Sequence, residues 1–389
     1  MNRNTDIKPK IQDALFRKAG LAHMPLQGTF ELTPCCTMDC RMCYIRMTRE
    51  EADRLGKEHS AKDWIQLAQQ AREAGMLYLL LTGGEPLLHR EFRRIYEELC
   101  RMGFIVSINS NATLIDETFI QWFRKLPPNR INVTLYGGSN ETYEKLCRFP
   151  GGFDRVTKAI LLMKDAGINI KLNATISNLN VQDYDKIIEF SQMHELPLDL
   201  VTYLYPPTRR ADEHSDIHRL PPEEAARIYL EAQRARRGDD FFLRNAEAFF
   251  VKLKKETEQA KHGEESRSMS CRGGRSTFWV TWDGKMGGCP VFGGTDCNPF
   301  RQGFAAAWEE TQRQRTEFLY PVKCAGCEKR FFCISCPAAH FAETGNCETV
   351  GEYLCEYADC YIQEMDRIMG EIQRSEKVKN RENIRSSEG

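Results

Sequence analysis

The sequence has no long apolar run and almost no net charge. No apolar stretch in its 389 residues reaches the roughly 18 residues of a membrane-spanning helix, so we expect no membrane partner. Its 54 Lys and Arg and 55 Asp and Glu leave a formal charge of −1, which gives no reason to expect nucleic acid as a partner. Residues 2–18 are polar and contain no apolar signal-peptide core, which predicts a cytoplasmic protein.

Cysteine, in contrast, is abundant. The chain has 16 cysteines, and ten of them lie between Cys271 and Cys360. In the absence of an export signal, this clustering favours metal ligands over disulfides. A chain of 389 residues is also long enough to bury a large core and to form two domains.

The first half of the chain alternates short apolar runs with helical patterns, which predicts βα units and a parallel sheet. Gly75, Gly103 and Gly167 each separate a predicted helix from a predicted strand, where a helix C-cap often requires a left-handed residue. Six such units are too few for a closed eight-fold barrel. The predicted strands lie near residues 29–33, 77–82, 105–110, 131–136, 169–176 and 199–204, and the predicted helices near 61–74, 90–101, 116–125, 153–166 and 181–194.

Two motifs follow the first two predicted strands. Cys36, Cys40 and Cys43 are spaced x3 and x2, and three thiolates leave one iron of a [4Fe–4S] cube without a protein ligand. Alone, this spacing is also compatible with zinc or with chance. After the second strand comes Gly83-Gly84-Glu85, in which the glycines permit close approach of a ligand and Glu85 is able to accept from a cationic amine.

Together these motifs resemble those of the radical S-adenosylmethionine (SAM) enzymes. The resemblance implies a [4Fe–4S] cluster on Cys36, Cys40 and Cys43, whose open iron binds the amino acid end of SAM. It also implies that the turn of Gly83, Gly84 and Glu85 receives the SAM amino group. Other SAM contacts that it implies are Met42 at the adenine, where relatives commonly carry an aromatic residue, Ser110, Asn111 and Thr134 near the ribose, and Arg148 at the carboxylate.

A second set of cysteines follows the predicted barrel, and taken alone its Cys-x2-Cys pairs indicate a structural zinc site. After a radical SAM barrel, the set resembles the SPASM extension, which holds auxiliary [4Fe–4S] clusters; one cluster or a zinc ion are the alternatives to two. The resemblance implies one cluster on Cys271, Cys289 and Cys336, with Cys297 or an open position as the fourth ligand. It implies another on Cys324, Cys327, Cys333 and a late cysteine, for which we choose Cys355 over Cys347 and Cys360.

The resemblance therefore implies an α/β fold, in which a partial (β/α)6 TIM-like barrel is followed by a small cysteine-rich iron–sulfur domain. Outside the ligand sets, we expect Cys35, Cys100 and Cys147 to be packed thiols. The predicted division is an N-terminal extension (1–27), the barrel (28–222), a helical bridge (223–270), the auxiliary cluster domain (271–362) and a charged tail (363–389).

The function that the resemblance implies is reductive cleavage of SAM to a 5′-deoxyadenosyl radical, which takes a hydrogen atom from the substrate. Oxidative modification of a peptide, by a thioether or C–C crosslink, is the favoured reaction, and a small-molecule substrate is the alternative. Gly83-Gly84-Glu85 argues against a non-catalytic scaffold, and Pro290 argues against sulfatase maturation. The expected partners are an electron donor of the flavodoxin or ferredoxin type and, because only about 30 residues precede the first strand, a separate peptide-recognition protein or direct docking of the peptide.

Overall fold

A parallel sheet forms the centre of the protein. It is described in a computed structural model that covers residues 11–45, 47–209, 218–248, 267, 269–292, 297–330 and 332–387, with side chains up to residue 375. Six strands follow one another across the sheet, each parallel to the next. They are β1 (Gln27–Glu31), β2 (Tyr78–Thr82), β3 (Ile105–Ser110), β4 (Arg130–Thr134), β5 (Ile170–Thr175) and β6 (Leu198–Val201).

The strands are rich in β-branched and large apolar residues, which suits a sheet covered on both faces. Phe30, Leu81, Ile131 and Val133 are fully buried in its core. The helices of this part of the chain are α1 (Ile11–Leu21), α2 (Arg49–Leu55), α3 (Ala61–Glu73), α4 (Phe92–Arg101), α5 (Glu117–Lys125), α6 (Asn140–Cys147), α7 (Gly152–Asp165), α8 (Tyr184–Met193) and α9 (Pro222–Arg237). Helix α1 precedes β1, helix α9 follows β6, and the helices between them connect successive strands.

The predicted open barrel is confirmed, and the sheet is larger than the sequence predicted. Two further strands, β7 (Thr277–Val280) and β8 (Met286–Gly287), extend it beyond β1. β7 is parallel to β1 and β8 is antiparallel to β7. Without β7, β1 would present unpaired backbone N–H and C=O groups at an edge. Part of the cysteine-rich region thus completes the sheet that carries the first cysteine motif.

The C-terminal region is mostly helical. Residues 239–248 are helical after α9, whereas 249–266 of the predicted bridge lie outside the described residues. The predicted tail begins inside a long final helix that packs against α9. None of the helices in the described part of the chain is long and apolar enough to span a bilayer. The remaining helices are α10 (Pro299–Gln302), α11 (Phe304–Glu317), α12 (Val322–Ala325), α13 (Pro337–Thr344) and α14 (Glu352–Ser387).

Polar contacts attach this region to the end of β6. Glu343 on α13 accepts a hydrogen bond from the Tyr203 hydroxyl at 2.8 Å and forms an ion pair with Arg219 at 2.6 Å. The Arg219 guanidinium also lies 3.8 Å from the ring centroid of Tyr353 on α14. The Tyr353 hydroxyl donates to the Leu220 carbonyl at 2.9 Å. These contacts hold α13 and α14 over the carboxyl ends of the barrel strands.

A buried ion pair joins three parts of the sheet. Arg209 lies in the segment after β6. Its two terminal guanidinium nitrogens donate to the two carboxylate oxygens of Glu31 at 2.8 and 2.7 Å. Trp279 on β7 donates to the same carboxylate at 3.1 Å. The Glu31 side chain is fully buried and that of Arg209 is 9 % exposed. Glu31 ends β1, so the pair fixes the point at which the loop of Cys36 begins.

We expect Glu31→Ala to lower the free energy of unfolding by about 3–5 kcal/mol, because it leaves the buried Arg209 charge without a partner. Chemical denaturation followed by circular dichroism would measure the loss. The matched control is Glu98→Ala, which removes an exposed ion pair with Arg101 on α4 and should cost less than about 1 kcal/mol. Equal losses for the two variants would contradict the prediction.

Candidate active site

The loop after β1 carries the first cysteine motif. The Cys40 side chain is buried and those of Cys36 and Cys43 are half-buried. The backbone N–H groups of Asp39 and Arg41 donate to the carbonyls of Cys147 and Leu146, each at 2.9 Å. Carbonyls in the last turn of a helix lack partners within the helix. The end of α6, whose bounds the sequence analysis did not predict, therefore holds the cysteine loop in place.

Gly83 and Gly84 allow the turn after β2 to touch this loop. The N–H of Gly84 donates to the Thr33 carbonyl at 2.7 Å, and the N–H of Glu85 donates to the Cys35 carbonyl at 2.8 Å. A Cβ atom on Gly83 would lie 2.4 Å from the Thr33 oxygen, and one on Gly84 would lie 2.3 Å from the Cys35 oxygen. The close approach in the structure is thus to the cysteine loop, and contact of these glycines with SAM stays a prediction.

Glu85 is fully buried beside the loop. The Ser110 hydroxyl lies 3.0 Å from both of its carboxylate oxygens, and the N–H groups of Asn111 and Leu87 donate to it at 2.8 and 3.2 Å. Burial raises the pKa of the Glu85 carboxyl to about 7, although these hydrogen bonds lower it. Among the described residues, no Lys, Arg or His forms an ion pair with it. A buried carboxylate held by donors but without a cation fits the ammonium group of an amino acid.

Asn111 connects Glu85 to the cysteine loop. Its side-chain amide nitrogen lies 3.2 Å from the Cys36 sulfur and 3.0 Å from the Thr37 hydroxyl. Ser110, which ends β3, and Asn111 therefore lie where the two motifs meet, while their contact with the ribose stays a prediction.

A cavity of about 790 Å³ opens beside the cysteine loop, between the barrel and the C-terminal helices. Cys40, Met42 and Cys43 line it, together with Thr134 at the end of β4. Cys333 of an auxiliary set lines it as well. Seven of the remaining lining residues are tyrosines. The full set is Tyr44, Tyr136, Thr175, Val201, Thr202, Tyr203, Leu204, Tyr205, Tyr229, Phe332, Ile334, Tyr357 and Tyr361.

Arg148 lies at the C-cap of α6 in a left-handed conformation. Its guanidinium forms an ion pair with Asp39 at 2.9 Å, and its side chain is 55 % exposed. In this position it fastens the cysteine loop to α6, and a contact with the SAM carboxylate stays a prediction. The predicted packed thiols Cys35 and Cys147 are buried, and Cys100 is half-buried against the core.

The two predicted auxiliary ligand sets each come together in the structure. Burial raises the pKa of Cys289 to about 12, and Cys336 and Cys271 lie close enough to add to the shift. Burial likewise raises the pKa of Cys324 to about 11, with contributions from Cys355, Cys333 and Cys327.

Neither group forms a site for a single metal ion in the described part of the chain. Among the described residues, no three His, Cys, Asp or Glu side chains converge closely enough to bind one metal ion. A cube of four irons is larger than one ion, so its ligands stand further apart. Which ligands the chain uses remains a prediction.

The other cysteines of this region lie beside the two sets. The Cys297 sulfur is buried and lies 3.5 Å from the Ala307 carbonyl and 3.4 Å from the Gln302 amide nitrogen. Burial raises the pKa of Cys347, and Cys336 lies close enough to add to the shift. Cys360 lies on α14, where burial raises its pKa and Glu223 adds to the shift. The fourth ligand of the Cys271 set therefore stays open.

Arg315 provides a physical reason to expect negative charge at the Cys271 set. Its side chain is buried, and it donates to the carbonyls of Gly273, at 2.8 Å, and Met269. Within the described residues it forms no ion pair with a carboxylate, and Cys271 interacts with the guanidinium. Buried charges in proteins are normally paired. A thiolate cluster on Cys271, Cys289 and Cys336 would supply the missing anion.

Comparison with known families agrees with this geometry. Residues 30–191 match the radical SAM superfamily. The chain carries a radical SAM domain. This confirms the resemblance found in the two motifs, and the protein is an enzyme of this kind, whose cofactors are a [4Fe–4S] cluster and SAM.

Two of the similar proteins show how far the likeness extends along the chain. The AdoMet-dependent heme synthase of Methanosarcina barkeri is 25 % identical over 339 residues, which are 84 % of this chain and 95 % of that protein. The PqqA peptide cyclase of Granulibacter bethesdensis is 25 % identical over 168 residues, 43 % of this chain and 44 % of that protein. The first similarity covers most of the chain, and the second covers less than half of it.

Solved structures share the overall fold. Streptococcus suis SuiB bound to its precursor peptide SuiA superposes with a TM-score of 0.63 at 15 % identity, over 89 % of this chain and 79 % of SuiB. The enzyme anSMEcpe with bound AdoMet superposes with a TM-score of 0.64 at 16 % identity, over 90 % of this chain and all of that chain. The chain therefore shares its overall fold with these two proteins.

Removal of the buried carboxylate should separate SAM binding from cluster binding. We expect Glu85→Ala to weaken SAM affinity by about 1.5–3 kcal/mol, the usual contribution of a hydrogen bond to a charged group. Iron content should remain at the wild-type level, because Glu85 is not a cluster ligand. Equilibrium binding of SAM to anaerobic protein with known iron content would test this, with Glu91→Ala at the start of α4 as the control. Unchanged affinity in an iron-replete Glu85→Ala protein would refute the site.

Proposed function

We propose that this radical SAM enzyme oxidises a peptide, by removal of a hydrogen atom from an amino acid side chain followed by loss of a second electron to an auxiliary cluster and of a proton to solvent. The observation that supports this most directly is the cavity of about 790 Å³. Cys43 of the radical SAM motif and Cys333 of an auxiliary set both line it. A substrate in this cavity would contact both predicted cluster sites.

The lining of the cavity limits what part of a substrate enters it. Within the described part of the chain, it contains no Asp, Glu, Lys, Arg or His. Burial of an unpaired charge there would be costly, whereas tyrosine rings and hydroxyls accommodate apolar and neutral polar groups. An uncharged peptide side chain satisfies this condition, with the rest of the peptide outside.

The chain and its cofactors have separate tasks in this proposal. When bound, the cluster and SAM supply a carbon radical that removes hydrogen from an unactivated position. The cysteine loop and Glu85 fix the positions of the two cofactors. Tyr203, Tyr205 and the C-terminal helices keep water and competing hydrogen donors away from the substrate. A reductant of the flavodoxin or ferredoxin type is the proposed electron donor. The peptide would reach the cavity either through a separate recognition protein or by docking directly to this chain.

A small-molecule substrate is the second candidate, and the coverage of the heme synthases favours it. Two such relatives match 84 % of this chain each, and they extend over 95 % and 86 % of their own lengths. Heme and its precursors carry several carboxylates, however, and the described cavity lining offers no cation to bind them. The cavity chemistry therefore ranks a peptide side chain first.

The reaction itself distinguishes the two candidates. Anaerobically reconstituted enzyme, SAM and dithionite would be incubated with short peptides encoded beside this gene, or with carboxylated tetrapyrroles. We expect 5′-deoxyadenosine together with a peptide that has lost two hydrogen atoms, detected by mass spectrometry. The Cys36/Cys40/Cys43→Ala variant should form neither product. Conversion of the tetrapyrrole instead of any peptide would decide for the second candidate.

Iron content tests the auxiliary clusters. Three [4Fe–4S] cubes contain about twelve irons per chain, so the Cys36/Cys40/Cys43→Ala variant should retain about eight. Substitution of Cys324 and Cys327 should lower iron further and destabilise the C-terminal region, because metal binding and folding are coupled in small cysteine-rich units.

Cys35→Ala is the matched control, since Cys35 packs against Ala52 and Trp282, and it should retain all twelve irons. A triple variant that contains zinc in place of iron would reduce the assignment to one cluster and a structural zinc site.

A further inference from the structure

Asn111 makes contacts on both sides of the candidate active site. It follows β3 and is 5 % exposed. Its backbone N–H donates to Glu85 at 2.8 Å, and its side-chain amide nitrogen lies 3.2 Å from the Cys36 sulfur. One residue thus contacts both the carboxylate proposed for the SAM amine and a proposed cluster ligand.

The orientation of the Asn111 amide is fixed by Thr113. The Asn111 side-chain oxygen accepts from the backbone N–H of Thr113 at 3.0 Å and from its hydroxyl at 2.7 Å. A backbone N–H is always a donor, so the oxygen has to face Thr113 and the NH2 group has to face the cysteine loop. The Thr113 carbonyl is itself held by the Arg155 side chain at 2.8 Å.

A ring of hydrogen bonds then assigns each amide hydrogen. The Thr113 hydroxyl donates to Asn111, so at its 2.6 Å contact with the Thr37 hydroxyl it is the acceptor. The Thr37 oxygen in turn accepts one hydrogen of the Asn111 amide at 3.0 Å. The second amide hydrogen remains for the Cys36 sulfur. Each hydroxyl in the ring donates once and accepts once, which strengthens the set as a whole.

We propose that Asn111 sets the reduction potential of the cluster on Cys36, Cys40 and Cys43 through this hydrogen bond and couples that cluster to Glu85. The inference rests on the proposed function, in which Cys36 is a cluster ligand. Hydrogen bonds to cluster sulfurs are among the factors that set the potential of an iron–sulfur centre. A donor near sulfur stabilises the more negative, reduced cluster, and so the Asn111 amide raises the potential.

Side-chain variants isolate this bond, because the backbone N–H that contacts Glu85 remains in each of them. The N–H of Met38 also donates to the Cys36 sulfur, at 3.4 Å, and is retained as well, so the effect should be partial. Asn111→Ala removes the amide. Asn111→Asp keeps an acceptor for Thr113 but places an anionic oxygen toward Cys36. The matched control is Asn109→Ala on the same strand, whose side chain accepts from Asn132 at 2.8 Å.

The experiment is a mediated redox titration of anaerobically reconstituted full-length protein, followed by electron paramagnetic resonance. The cluster in question is identified as the one whose signal changes when SAM is added. At the wild-type midpoint potential, the ratio of reduced to oxidised cluster should be about tenfold lower in Asn111→Ala. This corresponds to a midpoint potential lowered by about 59 mV for a one-electron couple. It should fall further in Asn111→Asp and remain unchanged in Asn109→Ala, all with wild-type iron content.

Other outcomes separate this inference from the proposed function. A wild-type protein without a SAM-responsive signal would overturn both. A wild-type signal with unchanged midpoints in iron-replete Asn111 variants would overturn the role of Asn111 alone. If Asn111→Ala loses iron, Asn111→Asp decides, since it retains the contact with Thr113: a lowered midpoint supports the inference and an unchanged one refutes it.

Discussion

Backbone contact between the cysteine loop and the turn after β2 determines the geometry of the site. The carbonyls of Thr33 and Cys35 accept hydrogen bonds from Gly84 and Glu85, and a Cβ atom at Gly83 or Gly84 would lie within 2.4 Å of one of these oxygens. Any side chain at either glycine would push the two segments apart. Glu85 would then move away from the loop that carries Cys36, and the hydrogen bonds that Asn111 makes to both would no longer be possible together.

The parallel sheet makes this contact possible. The carboxyl ends of β1, β2 and β3 lie side by side, so the loop of Cys36, the turn of Glu85 and the end of β3 at Asn111 meet at one edge. The Glu31–Arg209 pair and β7 hold β1 in the sheet. A pair of this kind contributes mainly by its geometry, since desolvation of both charges offsets much of their attraction.

Most of the sheet could be predicted from the sequence because its signals are local. Both ends of β3 were predicted correctly, and the ends of the other five strands were predicted to within about three residues. β7 was missed because its partner is far away in the chain: Trp279 and Glu31, which share a hydrogen bond, are 248 residues apart. A run of four residues carries no information about such a partner. The sequence placed Cys147 in a helical pattern but gave no bounds for α6, although Ser139 as a cap and the spacing of Tyr143, Leu146 and Cys147 were signals for them.

The candidate site, like the sheet, has some features that local sequence signals predict and others that they do not. Spacing placed the three cysteines and Glu85 together because each motif follows a strand end. Other features depend on side-chain packing that the sequence does not encode locally, such as the contact of Arg148 with Asp39 and the direction of the Asn111 amide. The tyrosine-lined cavity combines residues from strands β4 to β6, α9 and α14, and only the folded chain brings these together.

The open barrel explains why the cysteine-rich region belongs to the active site in the proposed function. A closed eight-stranded barrel would fill its interior with its own side chains. Here the six parallel barrel strands do not close, and Phe332, Cys333 and the tyrosines of α14 complete the cavity instead. Removal of a hydrogen atom leaves an odd electron on the substrate, and a stable product requires either loss of that electron to an acceptor or return of a hydrogen atom. An auxiliary cluster that includes Cys333 would lie at the wall of the cavity, and this position favours oxidation over a rearrangement that returns the hydrogen atom.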